Sequence, residues 1–445
     1  MPQLSFTKSL DVRGHYDVFV SGAGPAGMAA AVSAARRGQR VFLAERIGCL
    51  GGLGTAGLVP CFCSFGNGAN ILARGIGTEV VDRLRAAGGT GPEDRPGTYG
   101  HVTIRPEILK VVYDDMATEA GITVRLSTEV VDVIKSGDAV QAAVLCGRGG
   151  LYAVEAHAFV DATGDAMLCH VAGARWSMGD DAGNVQGITL AATYVNFDWQ
   201  RMRQHVGEHG DWRPDAIQRG IAEGMLSVPD LHHSGVSHTS PNTCGANVSH
   251  VYGRNPIDDE QLTLAYMEGR KLALEYEDFY RRYAPGFENV EIVAIASIMG
   301  VRESRRVLGE YTLTADDFVR RAVFEDEIGR YANPIDVHPS SPDPEDFARF
   351  RREFMEMYRY KRGDSYGIPY RSLIPKDLSN VLVAGSCIST DRQMQGSVRV
   401  MPSCFLTGQA AGTAAALCAA SNRRPRDLDP QRLRAELRRG GAYLP

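Results

Sequence analysis

Nowhere in these 445 residues does an apolar run reach the roughly 20 residues that a membrane-crossing helix needs, so a membrane-embedded protein is not expected. A basic excess is missing too. The 48 Lys and Arg against 53 Asp and Glu leave a net charge of −5, which argues against a general nucleic-acid binder. The nine cysteines form no C-x-x-C pair, and none of their spacings suits zinc or an iron–sulfur cluster, so no metal is expected. The opening segment has no long apolar core of a secretory leader, which makes the cytoplasm the expected location and free thiols the expected state. Internal repeats and low-complexity tracts are also lacking. At this length one compact core is not enough, and two domains are the expectation.

What the chain does have is concentrated in residues 17–46. Asp17–Ser21 is a short apolar strand. Gly22, Gly24 and Gly27 form G-x-G-x-x-G where that strand should turn into a helix. Gly22 suits the tight turn, Gly24 lets a pyrophosphate approach the backbone, and Gly27 lets the helix press on the strand. Pro25 and Ala26 open a predicted helix, 25–37, whose first N–H groups and positive dipole end would face phosphates. A second strand, 40–44, ends at Glu45-Arg46, where an acid can accept hydrogen bonds from a ribose. Strand, glycines, small-residue helix, strand and acid in register predict a dinucleotide site.

Three further features favour FAD over NAD. A glycine-rich apolar loop with Gly51, Gly52 and Thr55 follows the acid and could lie along a large flat ligand. A strand meander that includes Val130 leads to Ala162, Thr163, Gly164 and Asp165, a second turn toward the cofactor. The Rossmann pattern resumes at the strand ending in Gly385, and Gly396-Ser397 precedes a final small-residue helix predicted over 406–419. Only one complete fingerprint is present. Gly147–Gly150 has no helix after it and reads as a turn, so a second, NAD(P)H-binding unit is not predicted. The W-x-W-x-I-P signature of aromatic halogenases is also missing.

Between these parts the glycine-turn pattern fades. The predicted organisation is a first FAD-binding part over 1–169, an inserted α+β substrate domain over 170–375, and a returning FAD-binding segment over 376–445. The fold class is α/β.

Together, Gly22–Gly27, Glu45-Arg46, Gly51–Thr55, Asp161–Asp165, Val301–Tyr311, Tyr366–Arg371 and Gly396–Gly412 resemble the FAD-dependent oxidoreductases of glutathione-reductase-like fold. More narrowly, the chain resembles flavoproteins related to the heterodisulfide reductase A subunit, though it lacks their iron–sulfur cysteines. The resemblance covers nearly the whole chain. It implies FAD more firmly than it implies a reaction.

Candidate chemistry is thinner. Arg302–Arg306 is a dense charged cluster after an apolar strand, and Arg302 and Arg306 would share a face if the segment were helical. A guanidinium can grip a carboxylate, a phosphate or the anionic edge of a reduced flavin. Arg371, on a loop stiffened by Pro369, and Arg399, before the last helix, are similar candidates. The proton acceptor would come from His232, His233, His238, His250 or His338, and His338 has Asp336 two residues away. Cys61 and Cys63 read as packing thiols. The expected reaction is hydride removal from a C–H beside O or N of a small polar or anionic substrate. An external electron acceptor and a homo-oligomer are compatible with it. A flavin-dependent reductase or monooxygenase fed by an external donor is the alternative, and an electron-transfer or scaffold subunit is the alternative of another class.

Overall fold

The computed structural model describes residues 4–445. Its centre is a mixed seven-stranded sheet. Strand β1 (Val12–Ser21) is longer than the predicted 17–21, because its largely exposed first half pairs with Ala153–Ala156 of a later strand. Helix α1 (Pro25–Ala35) follows the glycine turn, and β2 (Val41–Ala44) lies parallel to β1. Helix α2 spans Ile76–Ala86 and α3 spans Pro106–Glu119. Strand β3 (Thr123–Arg125) adds parallel to β2. Then β4 (Glu129–Ser136), β5 (Ala139–Gly147) and β6 (Gly150–Asp161) form the antiparallel meander. Gly147 pairs with Gly150, so this glycine group is the two-residue turn expected.

β6 changes partners along its length. Its first half pairs β5, and Phe159–Asp161 pairs parallel with the returning strand Val381–Val383. Ser21 lies beside Ala44 on one side and Asp161 on the other, and Val383 lies beside Asp161. Four carboxyl ends therefore share one edge of the sheet, the edge where ligands bind in open α/β folds.

The cap has its own packing. Val236–Ser240, Thr243–Ala246, Ala192–Val195 and Glu291–Ile295 form an antiparallel four-stranded sheet in that order, backed by helix α4 (Asp259–Tyr283). Tyr194, Cys244, Phe279, Tyr280 and Phe287 are at the heart of its core. This division differs from the predicted insert of 170–375. Leu313, Phe318, Ile328, Tyr331, Tyr366 and Tyr370 bury into the core of the central sheet, not into the cap. The sequence between 306 and 375 lost the glycine-turn pattern because it wraps the nucleotide-binding core in short strands and irregular chain, not because it left that core. The protein is thus a Rossmann-type α/β fold with an inserted domain.

Helix α5 (Met401–Ser421) starts five residues before the predicted 406 and is buried along most of its length. A Cβ on Gly408 would stand 2.1 Å from the Ala26 carbonyl oxygen, and one on Gly412 would stand 2.0 Å from that of Ala30. The small residues of α1 and α5 therefore serve a backbone-to-backbone contact between these two helices. Among the described residues, no helix is long and apolar enough to cross a membrane, and no group of His, Cys, Asp and Glu could hold a metal ion.

Candidate functional site

A cleft open to solvent runs along the carboxyl edge of the sheet. Its floor at one end is the glycine turn. Gly22 has φ +86°, and a Cβ there would meet the Ala162 carbonyl at 2.7 Å, so the left-handed backbone and the lack of a side chain are both required. Gly27 faces inward: a Cβ would fall 1.7 Å from the Gly22 oxygen. Gly24 is different. A Cβ there would meet nothing within 4 Å and would project into the cleft. No side chain caps α1, so the first-turn N–H groups after Pro25 are left without an intrahelical acceptor. That is an anion cradle.

Glu45 is buried at the end of β2 and lines the same cleft. Its Oε2 accepts the Ala23 N–H at 2.6 Å and its Oε1 accepts the Ile47 N–H at 3.1 Å. Burial raises its pKa, and these backbone donors partly offset the rise. The acid that would meet a ribose is therefore held rigidly against the glycine turn. Arg46, Gly52 and Val130 line this end as well. Ala162, Thr163, Gly164, Asp165 and Gly385 line the next stretch. The Gly164 carbonyl accepts from Ser304 Oγ at 3.1 Å and from Ser386 Oγ at 2.9 Å. The opposite wall comes from the cap and is apolar: Leu262, Tyr266, Ile298, Met299 and Val301. Met401 and Cys404 complete the lining at the start of α5. The shape and donor set fit an extended dinucleotide with its phosphates at Gly24.

Besides the inward-facing Gly27, four predicted contact residues do not line this cleft. Gly51 has φ +104° and supports the loop from behind, with Tyr113 and Thr55 where its Cβ would be. Thr55 is fully buried, and its hydroxyl donates to the Leu50 carbonyl at 2.7 Å. A Cβ on Gly396 would run into the backbone of Asp336 at 2.9 Å. Ser397 Oγ donates to the Asn333 carbonyl at 2.6 Å and pairs with the Tyr366 hydroxyl at 2.7 Å. Each shapes the wall from behind. Glycine-rich sequence marks close packing of backbone as readily as it marks ligand contact.

The arginines separate. Residues 302–305 form neither helix nor strand and Arg306-Val307 is a short strand, so the helical sharing of a face by Arg302 and Arg306 does not occur. The cluster is also buried, not solvated. Glu303 accepts from Arg306 at 2.8 Å and from Arg392 at 3.1 Å. Arg305 donates to the Asp165 carbonyl at 3.1 Å. Arg302 donates to the Gly187 carbonyl at 2.8 Å and to Thr189 Oγ1 at 3.2 Å. No carboxylate among the described residues lies within salt-bridge distance of it. Burial, with Arg399 nearby, pushes its pKa down to about 10. Arg371 stands apart. Its side chain is 50% exposed, pairs with Asp326 at 2.9 Å and lies over the Tyr311 ring, away from the cleft. Of the three, only Arg399 lines the cleft. It donates to the Asp336 carbonyl at 2.7 Å and lies 3.3 Å from the Asp336 carboxylate.

His338 Nε2 lies 3.3 Å from the other Asp336 oxygen, so the acid two residues away does orient the ring. His338 itself is not among the cleft-lining residues. The thiol of Cys63 is pushed up to about 12 by burial, in keeping with a packing role. Asp336 went unrecognised as a site residue although it bridges Arg399 and His338. An Asp two residues before a His was visible in the sequence, but its link to Arg399 is a contact across 63 positions.

A sequence model of the FAD-dependent oxidoreductases matches residues 17–437, and the chain belongs to that family. FAD is its cofactor, and it is a flavin-dependent enzyme. A search of curated proteins gave no match. Similar solved structures include a geranylgeranyl bacteriochlorophyll reductase-like protein of Thermoplasma acidophilum, 15% identical over 96% of this chain and 83% of that one, TM-score 0.48. A flavin-dependent brominase is 16% identical over 96% and 83%, TM-score 0.49. The p-nitrophenol 4-monooxygenase of Pseudomonas putida is 11% identical over 96% and 84%, TM-score 0.49.

Proposed function

We propose that the protein oxidises a small polar or anionic molecule by removing a hydride from a C–H beside O or N, and passes the electrons to an external acceptor. FAD bound in the cleft supplies the two-electron chemistry. The chain's own residues do the rest. The α1 N-terminus and Glu45 hold the two ends of the nucleotide, and the apolar cap wall excludes water from the reacting face. Arg399 is the observation that carries the reading: a guanidinium in the cleft beside the start of α5, apart from Arg46 at the Glu45 end, facing an apolar wall and held in place by Asp336. It presents a fixed positive charge to an anionic substrate or to the reduced cofactor. A cleft with such a wall also favours an enzyme over an electron-transfer or scaffold subunit. Nine free cysteines support a cytoplasmic location. A kinship with heterodisulfide reductase A-type flavoproteins rests on the shared motifs alone.

The test is an anaerobic screen of small hydroxy, amino and carboxylic compounds for bleaching of the flavin band. Direct bleaching by one class supports hydride removal. Bleaching by NAD(P)H alone, followed by oxygen uptake that depends on an organic substrate, would replace this reading with a monooxygenase.

A further inference from the structure

Arg302 is a buried cation without a counterion of its own. It is 7% exposed and still charged at neutral pH. Both of its hydrogen bonds run through Nη1, to the Gly187 carbonyl and to Thr189 Oγ1, and both acceptors are neutral. Nε and Nη2 form the side of a guanidinium that can grip a carboxylate with two parallel bonds, and they find no acceptor among the described residues. These two nitrogens are not sealed in, in contrast to the unpartnered Nε of Arg305, Arg306 and Arg399. Asp336 and Asp230 lie near, but each already faces a histidine. A buried charge is costly until something pairs it. Val301 and Ser304, close to Arg302 in the chain, line the cleft, and so does Arg399. The open side of Arg302 therefore stands just behind this stretch of the cleft wall.

Three neutral groups beside it also lack partners. His338 Nε2 is 3.3 Å from Asp336 Oδ1, and His250 Nδ1 is 2.6 Å from Asp230 Oδ2. Ionised carboxylates only accept, so these ring nitrogens carry the protons, and His338 Nδ1 and His250 Nε2 are left as acceptors. Both are buried and unpartnered, on rings whose centroids are 5.1 Å apart. Arg302 is near enough to both rings for its charge to lower their pKa. The donor of the group is Gln186. Its Oε1 accepts the His338 N–H at 2.8 Å, and its Nε2 is buried with no acceptor. A cation with an open fork, two acceptors and one donor thus come together from four distant segments of the chain. Buried polar atoms are nearly always satisfied, so several unmet ones at one place mark a site that a ligand completes.

We propose that this is the recognition pocket for a 2-hydroxy carboxylate, with Arg302 gripping the carboxylate and His338, His250 and Gln186 holding the hydroxyl. As a substrate pocket it rests on the hydride-removal reading above, because a 2-hydroxy acid carries its C–H beside oxygen and next to the carboxylate. The group that completes the three neutral residues must both give and take hydrogen bonds. A hydroxyl does so: it donates to one of the two ring nitrogens and accepts from Gln186 Nε2. An ammonium only donates, so it would leave Gln186 unmet and would set another cation beside Arg302 and Arg399. A carboxylate without the hydroxyl leaves both ring nitrogens unmet, and a site built to hydrogen-bond a hydroxyl rejects such an analogue strongly. Arg399, whose Nη2 donates to the Asp336 carbonyl, is the neighbouring charge on the cleft side.

The test uses a probe that can bind but cannot lose a hydride. 2-Hydroxy-2-methylpropanoate has the carboxylate and the hydroxyl, and no hydrogen on the carbon that bears them. Calorimetric titration of the holoenzyme should show it binding at least about 10-fold more tightly than 2-methylpropanoate, which lacks the hydroxyl, and than 2-amino-2-methylpropanoate. With FAD content intact, Arg302→Gln should weaken the probe roughly 100-fold, and Arg302→Lys, which keeps the charge and loses the fork, about 10-fold. Gln186→Met should narrow the preference for the hydroxyl without changing the affinity for 2-methylpropanoate. No binding of the probe, equal affinity for 2-methylpropanoate, or a tighter grip on the amino analogue overturns the proposal on the wild-type protein alone. Unchanged probe affinity in FAD-loaded Arg302→Gln overturns it as well. Probe binding with no 2-hydroxy acid bleaching the flavin faults the hydride-removal reading and leaves the pocket standing. Bleaching by a donor without a carboxylate, with no probe bound, does the reverse.

Discussion

Gly24 and Gly27 sit three residues apart in one motif, yet the structure assigns them opposite failures. A side chain at Gly24 meets no protein atom within 4 Å, and the backbone there, φ −65°, suits any L residue. Gly24→Val should therefore leave the apoprotein's stability within about 0.5 kcal/mol, the usual range for substitutions that touch nothing. It should remove FAD, because the valine occupies the space in which phosphate would meet the helix N-terminus. Losing one or two hydrogen bonds to a charged group costs about 1.5–3 kcal/mol each. That is about 1.5–6 kcal/mol in all, or roughly a 10- to 10⁴-fold weaker Kd. Gly27→Ala should do the reverse. Its Cβ would lie 1.7 Å from the Gly22 oxygen, so β1 and α1 must separate. Overpacking of this kind costs about 3 kcal/mol or more of stability. Urea unfolding of the two apoproteins, with calorimetric titration of FAD, separates the cases. Native FAD affinity in Gly24→Val, or equal destabilisation of both apoproteins, would refute the placement of the phosphates.

Glu45→Ala should weaken FAD by about 1.5–3 kcal/mol, roughly 10- to 150-fold, through loss of charge-assisted hydrogen bonds, read by the same titration. Arg399→Ala should slow flavin reduction at least ten-fold with FAD content intact, whereas Arg371→Ala should stay within two-fold and cost less than about 1 kcal/mol, as exposed ion pairs do; rapid-mixing absorbance checks both. The pH dependence of stability follows from His232 and His233, which burial, aided by neighbouring positive charge, holds neutral down to about 4 and about 3. Their folded values lie below the unfolded one, so the unfolded chain takes protons first, and stability present above about 6.5 is lost as pH falls toward 4. The two together should lower the unfolding free energy by about 3 kcal/mol between pH 6.5 and 5, and His233→Gln should remove about half of that slope in urea titrations.

The nucleotide end of the site was legible because its physics is local. Gly22, Gly24, Gly27 and Glu45 lie within 24 positions, and strand, turn and helix follow each other in the order that the contacts need. The proposed substrate end was not. Arg399 meets Asp336, Asp336 meets His338, and His338 faces His250, across separations that no periodicity encodes. The charged run at 302–306 misled in a specific way. Its spacing suits a helix, but Glu303, Ser304 and Arg305 each find partners in distant segments, and the chain there forms no helix. The boundary at 375 failed for a related reason. Tyr331, Tyr366 and Tyr370 carry no pattern that tells one core from another.

The late return of the chain to β6 has a consequence for biosynthesis. Val381–Val383 completes the sheet edge at Asp161, and α5 clamps α1 through Gly408 and Gly412 only after residue 412 exists. A nascent chain emerging from the ribosome therefore displays the fingerprint long before it can close the cradle around it. The cleft is therefore fully walled only once this late segment has been made. Cells starved of riboflavin should accumulate a full-length apoprotein whose α1–α5 seam is already shut, and not a half-folded intermediate waiting for the cofactor.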